Sequence, residues 1–204
     1  MQTAEIELKF PVDDLPLLES RLPSLGFQLI TPRTFESNTL FDTPSRTLRS
    51  ARQILRLRRY GDLWTLTHKR QPGDTEDPAA RYKTRIETET HLDDGTALAL
   101  IFEQLGYVSA FRYEKFRSEW SYLANSDCHL VLDETPIGTF AELEGPPAWI
   151  DDALIRLGVD PARCITLSYG KLFLAWKDRT QSPATDLTFD QIPALTPALV
   201  TSSS

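Results

Sequence analysis

Polar and apolar residues alternate one for one over many short stretches of this chain, which is the period of a strand with one buried face. Residues 3–10, TAEIELKF, predict a first strand; Pro11 and Asp13-Asp14 start a helix over roughly 12–24 that stops near Gly26. The stretch 27–42 reads as extended and ends at the turn signal FDTPSR. QILRLRRY and LWTLTHK follow as a hairpin joined by Gly61-Asp62, and QPGDTEDP is a loop. ARYKTRIETETH predicts a long strand, and DDGTALALIFEQLGY a helix with an Asp cap and a stop at Gly106. FRYEKFRSEWSYL, CHLVLDET and GTFAELEG complete the strands, while 147–157 and 166–177 carry helical patterns. The expected architecture is one α+β domain over residues 1–178, followed by a Ser-, Thr- and Pro-rich tail over 179–204. That tail also holds Leu187, Phe189, Ile192 and Leu195, apolar residues able to dock on the domain.

Parity along the strands sorts the charges. Glu5, Glu7 and Lys9 share a face opposite Ile6, Leu8 and Phe10, and Arg56 and Arg58 oppose Leu55 and Leu57. Thr65, Thr67 and Lys69 oppose Trp64 and Leu66; Arg81, Lys83, Arg85, Glu87 and Glu89 fall together. Lys115, Arg117 and Glu119 oppose Phe116 and Trp120, and Glu142 and Glu144 oppose Ala141 and Leu143. A solvated sheet face explains any one of these strands. It explains the set less well, because arginines and carboxylates dominate strand after strand. Apolar faces packed outward against helices and charged faces lining a closed β-barrel account for all of them together. Such an interior must hold water, counter-charges, metal or ligand. Arg and Lys suit phosphate oxygens, and clustered Asp and Glu suit hard cations.

Composition narrows the partners. Of 204 residues 41% are hydrophobic, enough for a sizeable core, and the formal net charge of -7 disfavours a nonspecific nucleic-acid binder. Cys128 and Cys164 form no CxxC pair, and His68, His91 and His129 have no metal-ligand spacing, so each reads as a packing or surface residue. No apolar run reaches the length of a membrane span and no leader is visible at the N-terminus. A cytoplasmic protein with no membrane partner is therefore expected.

The ordered motifs resemble the CYTH superfamily, the triphosphate tunnel metalloenzymes. They are Glu5-Ile6-Glu7-Leu8-Lys9 (ExExK), FDTP at 41–44, RLR at 56–58, LTHK at 66–69 and Arg85-x-Glu87-x-Glu89. KFR at 115–117, LDE at 132–134, G-x-F-x-E-x-E from Gly138 to Glu144 and SYGKLF at 168–173 continue the series. ExExK alone is a weak signal; the ordered set covers about residues 3–177. The resemblance implies an eight-stranded antiparallel barrel, a triphosphate tunnel with helices packed outside. It implies Mg²⁺ or Mn²⁺ on Glu5, Glu7, Asp133, Glu142 and Glu144, with Glu5, Glu7 and Lys9 at the catalytic centre. It implies a triphosphate held by Lys9, Arg56, Arg58, Lys69, Arg85 and Arg117, with Lys83, Lys115 and Lys171 permitted by spacing. Glu87 and Glu89 are open between aiding the metal, orienting the arginines and balancing charge.

Members of the superfamily include class IV adenylate cyclases, thiamine triphosphatases and inorganic triphosphatases. The triphosphate grip alone suffices for hydrolysis of inorganic or organic triphosphates, whereas a cyclase also needs an adenine pocket that the sequence does not reveal. Hydrolase is the expectation, with class IV-type adenylate cyclase and a non-catalytic polyphosphate- or nucleotide-binding module as alternatives. The expected partner is inorganic triphosphate, thiamine triphosphate or ATP; the oligomeric state, a homodimer included, stays open. One departure stands at Asn38-Thr39-Leu40, where members often carry an acidic and an aromatic residue before FDTP.

Overall fold

The computed structural model of the protein describes residues 2–73 and 81–192. Eight antiparallel strands form a closed ring in the order β1-β5-β4-β3-β2-β6-β7-β8. They are β1 (Gln2–Pro11), β2 (Phe27–Asp42), β3 (Ile54–Tyr60), β4 (Leu63–Arg70), β5 (Lys83–Leu92), β6 (Val108–Tyr122), β7 (Asn125–Thr135) and β8 (Gly138–Glu144). The seam pairs β1 with β8, setting Glu7 opposite Glu144 and Lys9 opposite Glu142. On its other side β1 pairs with β5, Glu7 opposite Lys83 and Glu5 opposite Arg85. No helix among the described residues is long and apolar enough to cross a membrane.

The outward apolar parity is buried by helices. α1 (Leu15–Arg21) and α4 (Pro147–Leu157) cover one side of the ring. There Leu8, Phe10, Leu130, Leu132, Leu143, Leu18, Ile150 and Leu154 form the main core. α3 (Gly95–Gln104) starts tight against Trp64, where a Cβ on Gly95 would come within 2.2 Å of the indole, so only glycine allows this approach. FDTPSR does more than turn. The Asp42 carboxylate accepts hydrogen bonds from the backbone N–H groups of Thr43, Leu48 and Arg49 at 2.7–3.0 Å, which sets up a short helix, α2 (Thr47–Ser50).

Three expectations change. The first helix is shorter than the 12–24 pattern, because Pro23 ends it in a single 3-10 turn, Pro23–Leu25. Arg81 is not on β5: its exposed guanidinium pairs with Asp151 on α4 at 2.8 Å. The last helix, α5 (Tyr169–Thr180), starts later than the 166–177 pattern because Ser168 caps it, and beyond it Ala184, Leu187, Thr188 and Ile192 are buried on the barrel, where the apolar residues of the tail were able to dock. Most of the predicted 71–78 loop, and residues beyond 192, lie outside the described residues.

Candidate active site

The charged parity does point inward, into a cavity of about 380 Å³. That volume falls in the range of small-ligand sites. Its lining includes Glu5, Glu7, Lys9, Arg56, Arg58, Lys69, Lys83, Lys115, Arg117, Glu142 and Glu144, eleven of the residues singled out from the sequence. β1 supplies three of them, and its two neighbours place their partners opposite: Lys83 pairs with Glu7, and Lys9 with Glu142.

The acids divide by what holds them. Glu5, Glu7 and Glu144 each offer a carboxylate oxygen within 4.8 Å of the others. Burial and the charge of Glu5 push the Glu144 carboxyl up to about 7. Burial also pushes Glu5 up, but Lys69, Glu87 and Lys83 outweigh it and hold Glu5 far below the carboxylate range. Glu87 shares a hydrogen bond with Glu5 and pairs with Lys69; burial and that neighbour raise it to about 7. Three converging oxygen donors fit a hard divalent cation, so the donor set present is chemically suited to Mg²⁺ or Mn²⁺.

Asp133 and Glu142, also expected on the metal, lie among protein cations. Asp133 is fully buried and accepts from Lys115 at 2.9 Å, from Arg117 Nε and Nη2 at 2.7 and 2.6 Å, and from the Tyr169 hydroxyl at 2.6 Å. Glu142 takes Lys9 and, at 2.7 Å, Arg117. Two residues expected on the triphosphate are not brought to the cavity. Arg85 shares inward parity with Lys83, but its guanidinium donates to the Thr84 carbonyl at 2.9 Å. Lys171 is exposed on α5.

Several residues were not foreseen. Glu36, fully buried, pairs with Lys115 at 3.4 Å and accepts from Asn38 at 2.8 Å. The amide that departs from the usual acid before FDTP thus lies beside an acid two residues earlier. Tyr113 accepts from Arg56 at 3.4 Å, and Tyr169 lies beneath Lys9 Nζ, 4.3 Å from the ring centre. His129 also lines the cavity, together with Glu119 of the charged face of β6; extending the parity of β7 from Asp133 would have found His129, which read as a packing or surface residue. A bridge between Lys9 and Ile165 delivers Ser168, Tyr169 and Gly170, the start of α5, to the cavity wall. Glu89, whose role was open, accepts from Thr67 at 2.8 Å and lies 3.6 Å from Arg58.

A ring of antiparallel strands around a cavity lined with both signs of charge defines a tunnel-like fold with a charged interior. The chain belongs to the CYTH domain family, whose model matches residues 3–148. A protein of Methanocaldococcus jannaschii whose name puts it forward as an adenylate cyclase is 28% identical over 141 residues, covering 69% of this chain and 75% of that protein. Among solved structures, a Pyrococcus horikoshii protein aligns with a TM-score of 0.68 at 21% identity, over 84% of this chain and 99% of its own. A Hippeastrum protein, proposed as an adenylyl cyclase and described as having a dominant triphosphatase activity, aligns with a TM-score of 0.58 at 18% identity, over 86% and 96%. At these identities the structural likenesses establish the fold.

Proposed function

We propose that this protein is a divalent-metal-dependent enzyme that hydrolyses inorganic or organic triphosphates inside the tunnel. One observation carries the reading: the Glu5, Glu7 and Glu144 carboxylates converge in the same cavity as Lys9, Arg56, Arg58, Lys69, Lys83, Lys115 and Arg117. Phosphoryl transfer needs positioning and charge neutralisation more than covalent chemistry. Glu5, Glu7 and Glu144 would hold Mg²⁺ or Mn²⁺, which when bound supplies Lewis-acid polarisation of phosphate oxygens. Arg56 and Arg58 present guanidinium groups that match phosphate oxygens, and Lys9 and Lys69 add point charges. Burial holds Lys9 down at about 7 against the opposing pull of Glu7. A phosphate oxygen arriving beside it favours its protonated form. A cavity carboxylate raised to about 7, Glu87 or Glu144, is the one suited to orient the attacking water and accept its proton.

Cyclisation of ATP is the second reading. It is supported by the apolar part of the wall, Ile30, Leu40, Ile54 and Val131, which can face an organic group, and by the name of the Methanocaldococcus relative. Incubation with inorganic triphosphate, thiamine triphosphate and ATP in Mg²⁺ or Mn²⁺ decides. Orthophosphate release supports hydrolysis, cyclic AMP with pyrophosphate supports the cyclase, and tight binding without turnover of any of the three overturns both.

A further inference from the structure

β6 has an uncovered edge. β7 pairs with it only from Phe116 to Tyr122, leaving the first half of β6 without that neighbour. Residues 184–192 fill the gap. Leu187 N–H donates to the Arg112 carbonyl at 3.0 Å, and Glu114 N–H donates to the Leu187 carbonyl at 2.9 Å, a parallel bridge centred on Tyr113. The outward side chains on either side of Tyr113 grip the same segment. Asp186 accepts from the Arg112 backbone N–H at 2.8 Å and from its guanidinium at 3.2 and 3.3 Å. Glu114 accepts from Phe189 N–H at 3.0 Å, and the Phe189 ring packs on Phe116 at 5.4 Å. The segment is braced internally, because the Gln191 side-chain oxygen accepts from Thr185 N–H and Asp186 N–H at 2.8 and 3.1 Å.

Between those two grips the Tyr113 side chain points the other way, into the cavity. Its hydroxyl accepts from Arg56, and its ring stacks on Tyr169 at 5.9 Å. Tyr169 in turn lies under Lys9 and Lys115. The chain of contacts is unbroken from an outer strap to the cations of the tunnel. We propose that residues 184–192 act as a positioning strap, in which Asp186, Leu187 and Phe189 fix the β6 backbone at Tyr113 and thereby set the orientation of Arg56 toward the bound anion. The proposal rests on the triphosphate reading of the tunnel. None of the strap residues touches the cavity, so they are positioning residues and not catalytic ones.

The test uses Asp186→Ala and Phe189→Ala in the full chain, each confirmed folded by circular dichroism. The first readout needs no ligand: the Arg56 Nε–H resonance in labelled protein is expected to move in both variants. The second is the dissociation constant for inorganic triphosphate, expected to rise about 2- to 30-fold, the span for residues that couple to a site without touching the ligand. In an Arg56→Ala background the same changes should add less than about twofold, because the strap acts through that guanidinium. An unmoved resonance, or a full additional loss in the Arg56→Ala background, overturns the strap. If the resonance moves but wild-type protein fails to bind triphosphate, the functional reading falls and the coupling of the strap to Arg56 stands. If either variant does not fold, Asp186→Asn, which keeps an acceptor for the Arg112 N–H, takes its place with the same expected directions.

Discussion

Two carboxylates on neighbouring strands share the interior of one barrel, and they are held in opposite ways. Asp133 is enclosed by Lys115, Arg117 and Tyr169, and burial is overcome so completely that its carboxyl lies far below its ordinary value. Glu144 has no ion-pair partner among the described residues, and burial beside Glu5 raises it to about 7. The residue types are alike and the strands adjacent. What separates them is the number of protein cations within reach: Asp133 is saturated and fixes the frame, whereas Glu144, with no ion pair of its own among the described residues, leaves a carboxylate beside Glu5 and Glu7 open to something from outside.

The strongest way to break that comparison is to remove the saturated acid. Asp133→Ala leaves Lys115 and Arg117 buried without their main partner and should destabilise the fold by about 3–5 kcal/mol. Urea denaturation measures it, and a loss under about 1 kcal/mol would show that the knot is not structural. Glu144→Gln should do the reverse. Stability holds or rises as a like-charge contact with Glu5 disappears, while Mn²⁺ affinity by calorimetry and turnover of triphosphate fall by roughly 100-fold or more, the upper end of what even an outer partner of a metal ligand loses. Unchanged metal affinity would remove Glu144 from the cation site.

Arg56→Ala should weaken triphosphate binding by about 1.5–3 kcal/mol, the worth of a charge-assisted hydrogen bond, with little change in melting temperature. The acid limb of stability sharpens the frame side of the comparison. Burial pushes Glu36 up, but Lys115, Arg117 and Arg58 hold it down at about 2, against an ordinary 4.5. Its contribution is therefore complete above pH 4.5 and is lost as pH falls through the folded value near 2. Glu36→Gln should give a flatter stability–pH curve across that window, and an identical slope would mean that its charge contributes nothing. The smallest effect belongs to Lys171→Ala. This exposed residue outside the cavity should alter the Michaelis constant for triphosphate by no more than about twofold.

Alternation made most of the barrel legible. Charged residues at every second position of β1, β3, β6 and β8, and Thr65, Thr67 and Lys69 on β4, can sit only on one face, and the ring turns that face inward. β2 resisted the same reading because its register slips at Leu29/Thr31 and Thr31/Thr34, so no continuous parity led to Glu36. The cations around Asp133 and Glu142 were not legible, since spacing along a strand does not reveal which ones arrive from its neighbours. Tyr113 carried no signal in the sequence and Tyr169 was noted only within SYGKLF; the meeting of β6 with the start of α5 brings their rings together. Arg81 and Arg85 continue the alternation of β5, but the strand starts only at Lys83 and the Arg85 guanidinium folds back onto its own backbone.

The seam of the ring has a consequence in time. Glu5 and Glu7 stand on the first strand and Glu144 closes the eighth, and these strands are hydrogen-bonded neighbours. Pairings between such distant parts of a chain form slowly, after the local hairpins. A ribosome would release the first strand long before its partner exists, so β1 must wait, unpaired on that side, until β8 emerges. The three carboxylates meet only when the circle closes. A cation held there would be a mark of completed folding, and a ligand spanning the seam would fasten the oldest strand to the youngest.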